Sequence, residues 1–407
     1  MKSEILASMC AALMLLSGTC NAASIDVLAS RLSTPDQIID GFRKEHPDVQ
    51  VRVRPPVNGY DELTKRLLQD NLVGDLPDVI FQGYNRSRMT VQRGLPQPLE
   101  PFVAQDEDWV REHYHPISDA LCRHDGELYG LPYIVSIPVI YYNPELVRAV
   151  GGDPDHFPDT WEGITDLATK ITALGGNKIG GFFDYASAGN WTFMALVDSQ
   201  GGNMMSPDDQ QIAFDGPEGK RALDVVQMFG KAGQIDMPRD QAYQAFSAGT
   251  MGLIVTSSGF LQKLLKQATF QVHTASLPVS ENGRFPAGGN CVMMLANDPE
   301  RQKAAWAFMK YMVSPQVQEQ MFDMTGYLPG NRLGVSHLEE TAKADDPRLV
   351  SVKASARAAE WYSFPGDNSL RVTELIETLL QDVVTLRTSP EEAMDRMKSG
   401  VQKLLPR

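Results

Sequence analysis

Val49, Val51 and Val53 alternate with Gln50, Arg52 and Arg54, the two-residue period of a strand with one buried face. Short apolar runs at 24–28 and 78–81 have strand length too. Between them, Ile38, Ile39 and Phe42 recur at helical spacing, in a helix begun near Pro35 and stopped before Pro47, with Thr34 as its cap. A second helix opens at Tyr60 and carries Leu63, Leu67 and Leu68. Strand, helix, strand, helix, strand predicts an α/β lobe. In such sheets ligands meet the ends of the strands, so Gln82, Gly83, Tyr84 and Asn85, just past the third strand, are pocket candidates. Arg86, Arg88 and Arg93 follow, either as a solvated helix face or as anion ligands.

The stretch 130–143 breaks this rhythm. Two apolar runs are joined through Ser136 and Pro138 and closed by Asn143 and Pro144. Buried strands are this apolar, but each proline removes a ladder donor, which argues against one central strand throughout. Two readings stand: an extended crossover from one lobe into another with Ser136 at the passage, or a buried strand with one tolerated serine.

Further on, Thr160 and Trp161 open a helix through Ile164, Leu167 and Ile171. A small polar segment, 184–190, precedes an apolar helix begun at Trp191, whose ring either stacks on a sugar or packs in the core. Gly216 and Pro217 lead into an amphipathic helix holding Ala222, Leu223, Val226 and Phe229. At 245–259 a helix ends at Gly249, a strand follows over 251–255, and Ser257, Ser258 and Gly259 open the next helix. Serines at a helix start either receive an anion or hydroxyl, or simply cap the helix. Gly288 and Gly289 permit close backbone approach to a ligand, or make a tight turn. Tyr327 stands in a further crossing, and Arg371 precedes two C-terminal helices, the second begun at Ser389.

At 407 residues the chain is long enough for two lobes with separate cores. A formal net charge of −14 argues against a nucleic-acid partner. No P-loop, dinucleotide-binding glycine fingerprint or nucleophile elbow occurs, and His113 and His115 lack further ligands at metal-binding spacing. The reading carries no cofactor and no metal. Lys2 followed by the apolar run 11–16 and by Cys20, Asn21 and Ala22 has the pattern of a secretory signal, 1–22, cleaved after Ala22. Ser17 is a poor residue for a lipoprotein box, which favours a soluble periplasmic protein. Cleavage leaves Cys122 and Cys291, either paired or as two buried thiols.

The order Leu131, Pro132, Ser136, Pro138, Tyr141, Tyr142, Asn143, with the serine-rich segment 245–259, resembles the bacterial extracellular solute-binding proteins of family 1, the capture subunits of ABC importers. Within them the chain looks most like the glycerol-3-phosphate and sugar binders. The resemblance implies a two-lobed α/β fold of the type II periplasmic-binding-protein kind, with the ligand cleft between lobes. It places 23–135 with 276–325 in the first lobe and 136–275 with 326–407 in the second, with crossings at 134–140, 275–277 and 324–328. It implies ligand contacts at Tyr60, Ser136, Ser258, Gly289, Tyr327 and Arg371, to which Trp191 and Ser257 are added from their local settings. The partners implied are a sugar, polyol or polyol phosphate, and inner-membrane permease subunits with their ATPase. The glycerol-phosphate binders carry a glutamate just after the third strand, where this chain has Gln82, Gly83 and Tyr84. That departure favours a sugar-like ligand over glycerol 3-phosphate or a glycerophosphodiester. A secreted carbohydrate-active enzyme, which needs a carboxylate pair in the cleft, is the alternative of another class.

Overall fold

The computed structural model describes residues 23–31, 33–343 and 346–406. Residues 1–22, expected from the sequence to be a secretory signal and holding Cys10 and Cys20, lie outside the described residues. Two sheets organise the chain. Across the first, the strands run in the order Leu328–Pro329, Leu131–Ser136, Gly288–Met294, Val79–Gly83, Ala23–Leu28 and Val49–Val53. The last three are parallel to one another, and Gly288–Met294 is antiparallel to both its neighbours. Across the second the order is His273–Ser276, Pro138–Tyr142, Met251–Ser257 and Ile179–Phe183.

The apolar stretch 130–143 is two strands in two sheets. Leu131–Ser136 pairs with Gly288–Met294 in the first, and after Ile137 the chain enters the second as Pro138–Tyr142, paired with Met251–Ser257. Pro138 begins its strand, a position where a missing N–H is tolerated.

The other two passages lie later than 275–277 and 324–328. Residues 277–286 stay against the second lobe, where Ser280 N–H donates to Ser199 O at 2.8 Å and Arg284 N–H to Asp198 O at 3.0 Å. The chain enters the first sheet only at Gly288. Leu328–Pro329 pairs with Val135 and Ile134 at the outer edge of the first sheet, and Arg332 holds the following helix to the carbonyls of Pro116 and Ile117 at 3.1 and 2.8 Å. Residues 328–341 therefore belong with the first sheet and not with the second lobe. An edge strand accepts a proline because its outer N–H has no ladder partner to lose.

Local signals explain most helix starts. Thr160 Oγ1 accepts from Gly163 N–H at 3.2 Å and Ser389 Oγ from Glu392 N–H at 3.1 Å. Thr34 does not cap: the helix Asp36–Glu45 takes Pro35 as its N-cap, with no side-chain bond. The residue before a proline is kept extended, which moves the start past Thr34. Phe42 packs edge-on against Phe308 of the helix Pro299–Met312, with ring centroids 5.1 Å apart, and closes one face of the first sheet.

At the end of the helix Trp191–Asp198, burial pushes the Asp198 carboxyl up to about 7, against the opposing pull of Arg284. The folded protein holds that proton up to about pH 7, whereas the unfolded chain releases it near pH 4. Stability therefore falls as pH rises between those values. Asp198→Asn is expected to stabilise at pH 8 by about 1–4 kcal/mol and to be near neutral at pH 4. Urea unfolding at the two pH values reads this; an equal difference at both would refute it.

Candidate functional site

Where the two sheets face each other, their strand ends and the loops beyond them enclose a cavity of about 540 Å³. The first lobe contributes Ser30, Tyr60, Ser136, Gly288 and Gly289; the second contributes Asp184, Trp191, Arg239, Thr256, Ser257, Phe260 and Lys263. Tyr327 and Trp361 complete it.

The aromatic walls are held from behind. Tyr60, in the first turn of the helix Gly59–Leu72, receives Asn290 Nδ2 on its hydroxyl at 3.1 Å, and the same amide donates to Ser33 Oγ at 3.1 Å. Trp191 Nε1 donates to Pro286 O at 2.9 Å, which anchors its ring to the segment entering the first sheet. Trp361 lies 6.1 Å from Tyr60 and 6.2 Å from Trp191, centroid to centroid. Its buried Nε1 finds no acceptor in the described protein. Aromatic faces of this kind suit the C–H faces of a sugar ring.

A charged group stands on the second-lobe wall. Asp184 follows directly on the strand Ile179–Phe183 and is only 1 % exposed. Its Oδ2 accepts from Thr256 Oγ1 at 2.9 Å and lies 3.8 Å from Arg239 Nη1. Thr256 in turn meets the Tyr243 hydroxyl at 2.8 Å. Burial pushes the Asp184 carboxyl up, and Arg239 and the Thr256 hydrogen bond pull against it. Arg239 sits over the Phe260 ring at 5.4 Å and keeps 39 % of its side chain exposed. Lys263 pairs with Asp240 at 3.8 Å. Burial also raises the Tyr60 and Tyr327 phenols, so both are neutral hydrogen-bonding groups at ordinary pH.

Of the residues singled out from sequence, Tyr60, Ser136, Trp191, Ser257, Gly289 and Tyr327 come together on this cavity. Ser258 and Arg371 do not. Ser258 is buried between the lobes, where its hydroxyl accepts from Ile137 N–H at 3.1 Å and its N–H donates to Ile137 O at 3.0 Å. It ties the crossing strand to the helix start. Arg371 is exposed on the helix Ser369–Val384, near Asn368 Oδ1 at 3.4 Å, and is absent from the cavity wall. Ser257 does line the cavity, and its Oγ also caps, accepting from Gly259 N–H at 3.1 Å.

Gln82, Tyr84 and Asn85 are buried behind the wall: Gln82 Nε2 donates to Thr90 Oγ1 at 2.8 Å and the Tyr84 hydroxyl to Ile134 O at 3.1 Å. Arg86 is neither solvated nor an anion ligand. It is fully buried and donates to Asp61 at 2.8 Å and to Thr373 at 2.9 Å. Sequence reasoning passed over Asp184, Arg239, Phe260 and Trp361. For Asp184 a signal was present, since the apolar run before it is a strand and strand ends face the cleft. Arg239 has no such signal, because its neighbour Asp184 is 55 positions away by residue number.

A two-lobed α/β binding protein with its site between the lobes is the class that this fold and cavity define. The chain belongs to the bacterial extracellular solute-binding protein family, whose model matches residues 37–347. It is 22% identical over 396 residues to the sn-glycerol-3-phosphate-binding periplasmic protein UgpB of Escherichia coli strain K12, covering 91% of this chain and 89% of that protein. In structure it is similar to an ABC transporter solute-binding protein of Thermotoga lettingae bound with alpha-D-tagatose, at TM-score 0.80 and 19% identity over 94% of this chain and 100% of that one. It is equally similar, at TM-score 0.80 and 19% identity over 94% and 98%, to UgpB of Mycobacterium tuberculosis in complex with glycerophosphocholine. At these identities the two structures bear on the fold. Among the described residues no helix is long and apolar enough to cross a membrane, and no cluster of three acidic, histidine or cysteine side chains is arranged to hold a metal.

Proposed function

We propose that this chain is the periplasmic capture component of an ABC importer, taking a sugar or sugar-like polyol between its lobes and delivering it to membrane permease subunits. The observation that carries the reading is one cavity in which the faces of Tyr60, Trp191 and Trp361 stand beside polar groups from both lobes. A ligand touching both lobes binds the closed arrangement better than the open one, and that difference shifts the population toward closed. The closed form is then what a permease recognises. Export through the segment 1–22 agrees with a disulfide between Cys122 and Cys291, because disulfides persist outside the reducing cytosol.

A polyol phosphate is the second reading, favoured by the names of the Escherichia coli and Mycobacterium relatives. Against it, the expected phosphate fork at Arg371 faces solvent, and Arg239 and Lys263 each have an acidic partner within 4 Å. Carbohydrate hydrolysis has less support. The cavity carboxylates Asp184 and Asp240 both sit on the second-lobe wall, Asp240 beside Lys263 at 83 % exposure, and do not flank the cleft from opposite sides.

A thermal-shift panel of neutral mono- and disaccharides, polyols and their phosphate esters tests the reading. A ligand at 100 times its Kd stabilises the fold by about 2.7 kcal/mol. The best ligand is expected to be neutral, with an affinity that changes less than about twofold between low and high salt. A phosphate ester as best ligand, weakening steeply with salt, would replace the sugar by the second reading.

A further inference from the structure

Asp184 has an oxygen without a donor. Its Oδ2 is engaged by Thr256 and faces Arg239, while Oδ1 is buried and meets no hydrogen-bond donor among the described residues. A carboxylate oxygen left so is costly unless something donates to it, and the residue lies on the cavity wall. Arg239 is its complement. Its guanidinium stands 3.8 Å from Oδ2, beyond hydrogen-bond reach, rests on Phe260, and keeps exposed surface within the cavity lining. Held on the aromatic ring, its planar fork needs little further ordering to donate to a ligand. One acceptor and one donor fork are thus fixed side by side on a single wall.

We infer that Asp184 and Arg239 together read a vicinal diol of the ligand, Asp184 Oδ1 accepting from one hydroxyl while Arg239 donates to the oxygen beside it. The inference rests on the reading of the cleft as a sugar site and assigns its specificity to the second lobe. It supplies a carboxylate reader on the second-lobe wall, whereas the end of the first-lobe strand Val79–Gly83 carries Gln82 and Gly83 and no carboxylate. It also assigns the charge preference of the cleft. With Asp184 in place, Arg239 is compensated and an anionic ligand meets an acidic neighbour; without it, the same arginine becomes an anion site.

The test is a change of ligand class, which loss of packing alone does not produce. In wild-type protein, inorganic phosphate and sn-glycerol 3-phosphate should raise the melting temperature little, whereas a neutral diol-bearing sugar from a panel including maltose, trehalose and D-tagatose should raise it. Asp184→Asn keeps the size and the acceptor for Thr256. It should bind the neutral sugar about 10-fold or more weaker and should be stabilised by phosphate more than wild type is. Arg239→Gln, at a partly exposed position, should lose the sugar by a similar factor and gain no response to phosphate. An Asp184→Asn protein no more responsive to phosphate than wild type overturns the inference, whatever the sugars do. So does either variant keeping wild-type affinity for a sugar that wild type binds. If Asp184→Asn does not fold, Arg239→Gln and Arg239→Lys decide: both should weaken the sugar, and either retaining full affinity refutes the pair. A wild type that prefers the phosphate ester refutes the sugar reading itself, a result distinct from a wild-type sugar binder in which the variants change nothing.

Discussion

Removing the Cys122–Cys291 disulfide is expected to cost about 3–5 kcal/mol of stability. The bond closes a loop of sequence separation 169, and in the chain-entropy account a longer loop restricts the unfolded chain more. It joins the turn Asp119–Cys122 to the strand Gly288–Met294, which lies between two partners in the first sheet, and both cysteines are fully buried. Guanidinium unfolding of a Cys122→Ala, Cys291→Ala variant against the oxidised protein measures the effect. A midpoint shift worth less than about 1 kcal/mol would show that the loop is already restrained when unfolded. Thiol titration of exported protein extends the test to the signal segment. With Cys10 and Cys20 removed and the other two paired, no thiol should react in denaturant; two reactive thiols would mean either that the leader remains or that Cys122 and Cys291 are unpaired, and the mass of the protein tells these apart.

The second large effect is expected at Gly289, where the first sheet meets the cavity. Its φ of +124° is a conformation that side chains avoid, and an added Cβ would lie 1.9 Å from Ile134 O. That carbonyl belongs to the neighbouring strand and accepts the Tyr84 hydroxyl, so it has no free direction in which to retreat. The register of the two strands shifts beside it, between Asn290 and Cys291. Gly289→Ala should therefore lose about 3–5 kcal/mol from strain and overpacking combined, and should displace Tyr60 through Asn290. Gly126→Ala is the control. Its φ of +86° is strained too, but no described residue lies within 4 Å of an added Cβ, so the loss there should be about 1 kcal/mol. Equal losses in the two variants would show that backbone strain alone, and not the collision with Ile134, sets the value.

The sequence by itself determined element type and the class of fold. Val49, Val51 and Val53 have only one face to bury, and Thr160 and Ser389 cap helices whose N–H groups lie three residues on. These are short-range facts, written in periods of two and 3.6 residues and in the stereochemistry of single residues. The passage between sheets in 130–143 was legible only as one of two readings: Pro138 marks a break in the apolar run, but a single buried strand stayed open until the two halves were seen to pair in different sheets.

What only the tertiary structure decided was which distant groups meet. Periodicity reports that a face is buried, not what it is buried against. Cys122 and Cys291 were compatible with pairing or with separate burial until their strand and turn were brought together at a Cα separation of 5.9 Å. Arg86 and Arg371 are one residue type in polar settings, yet the first is enclosed beside Asp61 and Thr373 while the second points to water. Arg239 reaches Asp184 only because the helix Arg239–Ser247 packs on the strand Met251–Ser257, next to Ile179–Phe183. Residues 328–341 joined the first sheet because an edge was open to Pro329, and an open edge exists only once the sheet has formed.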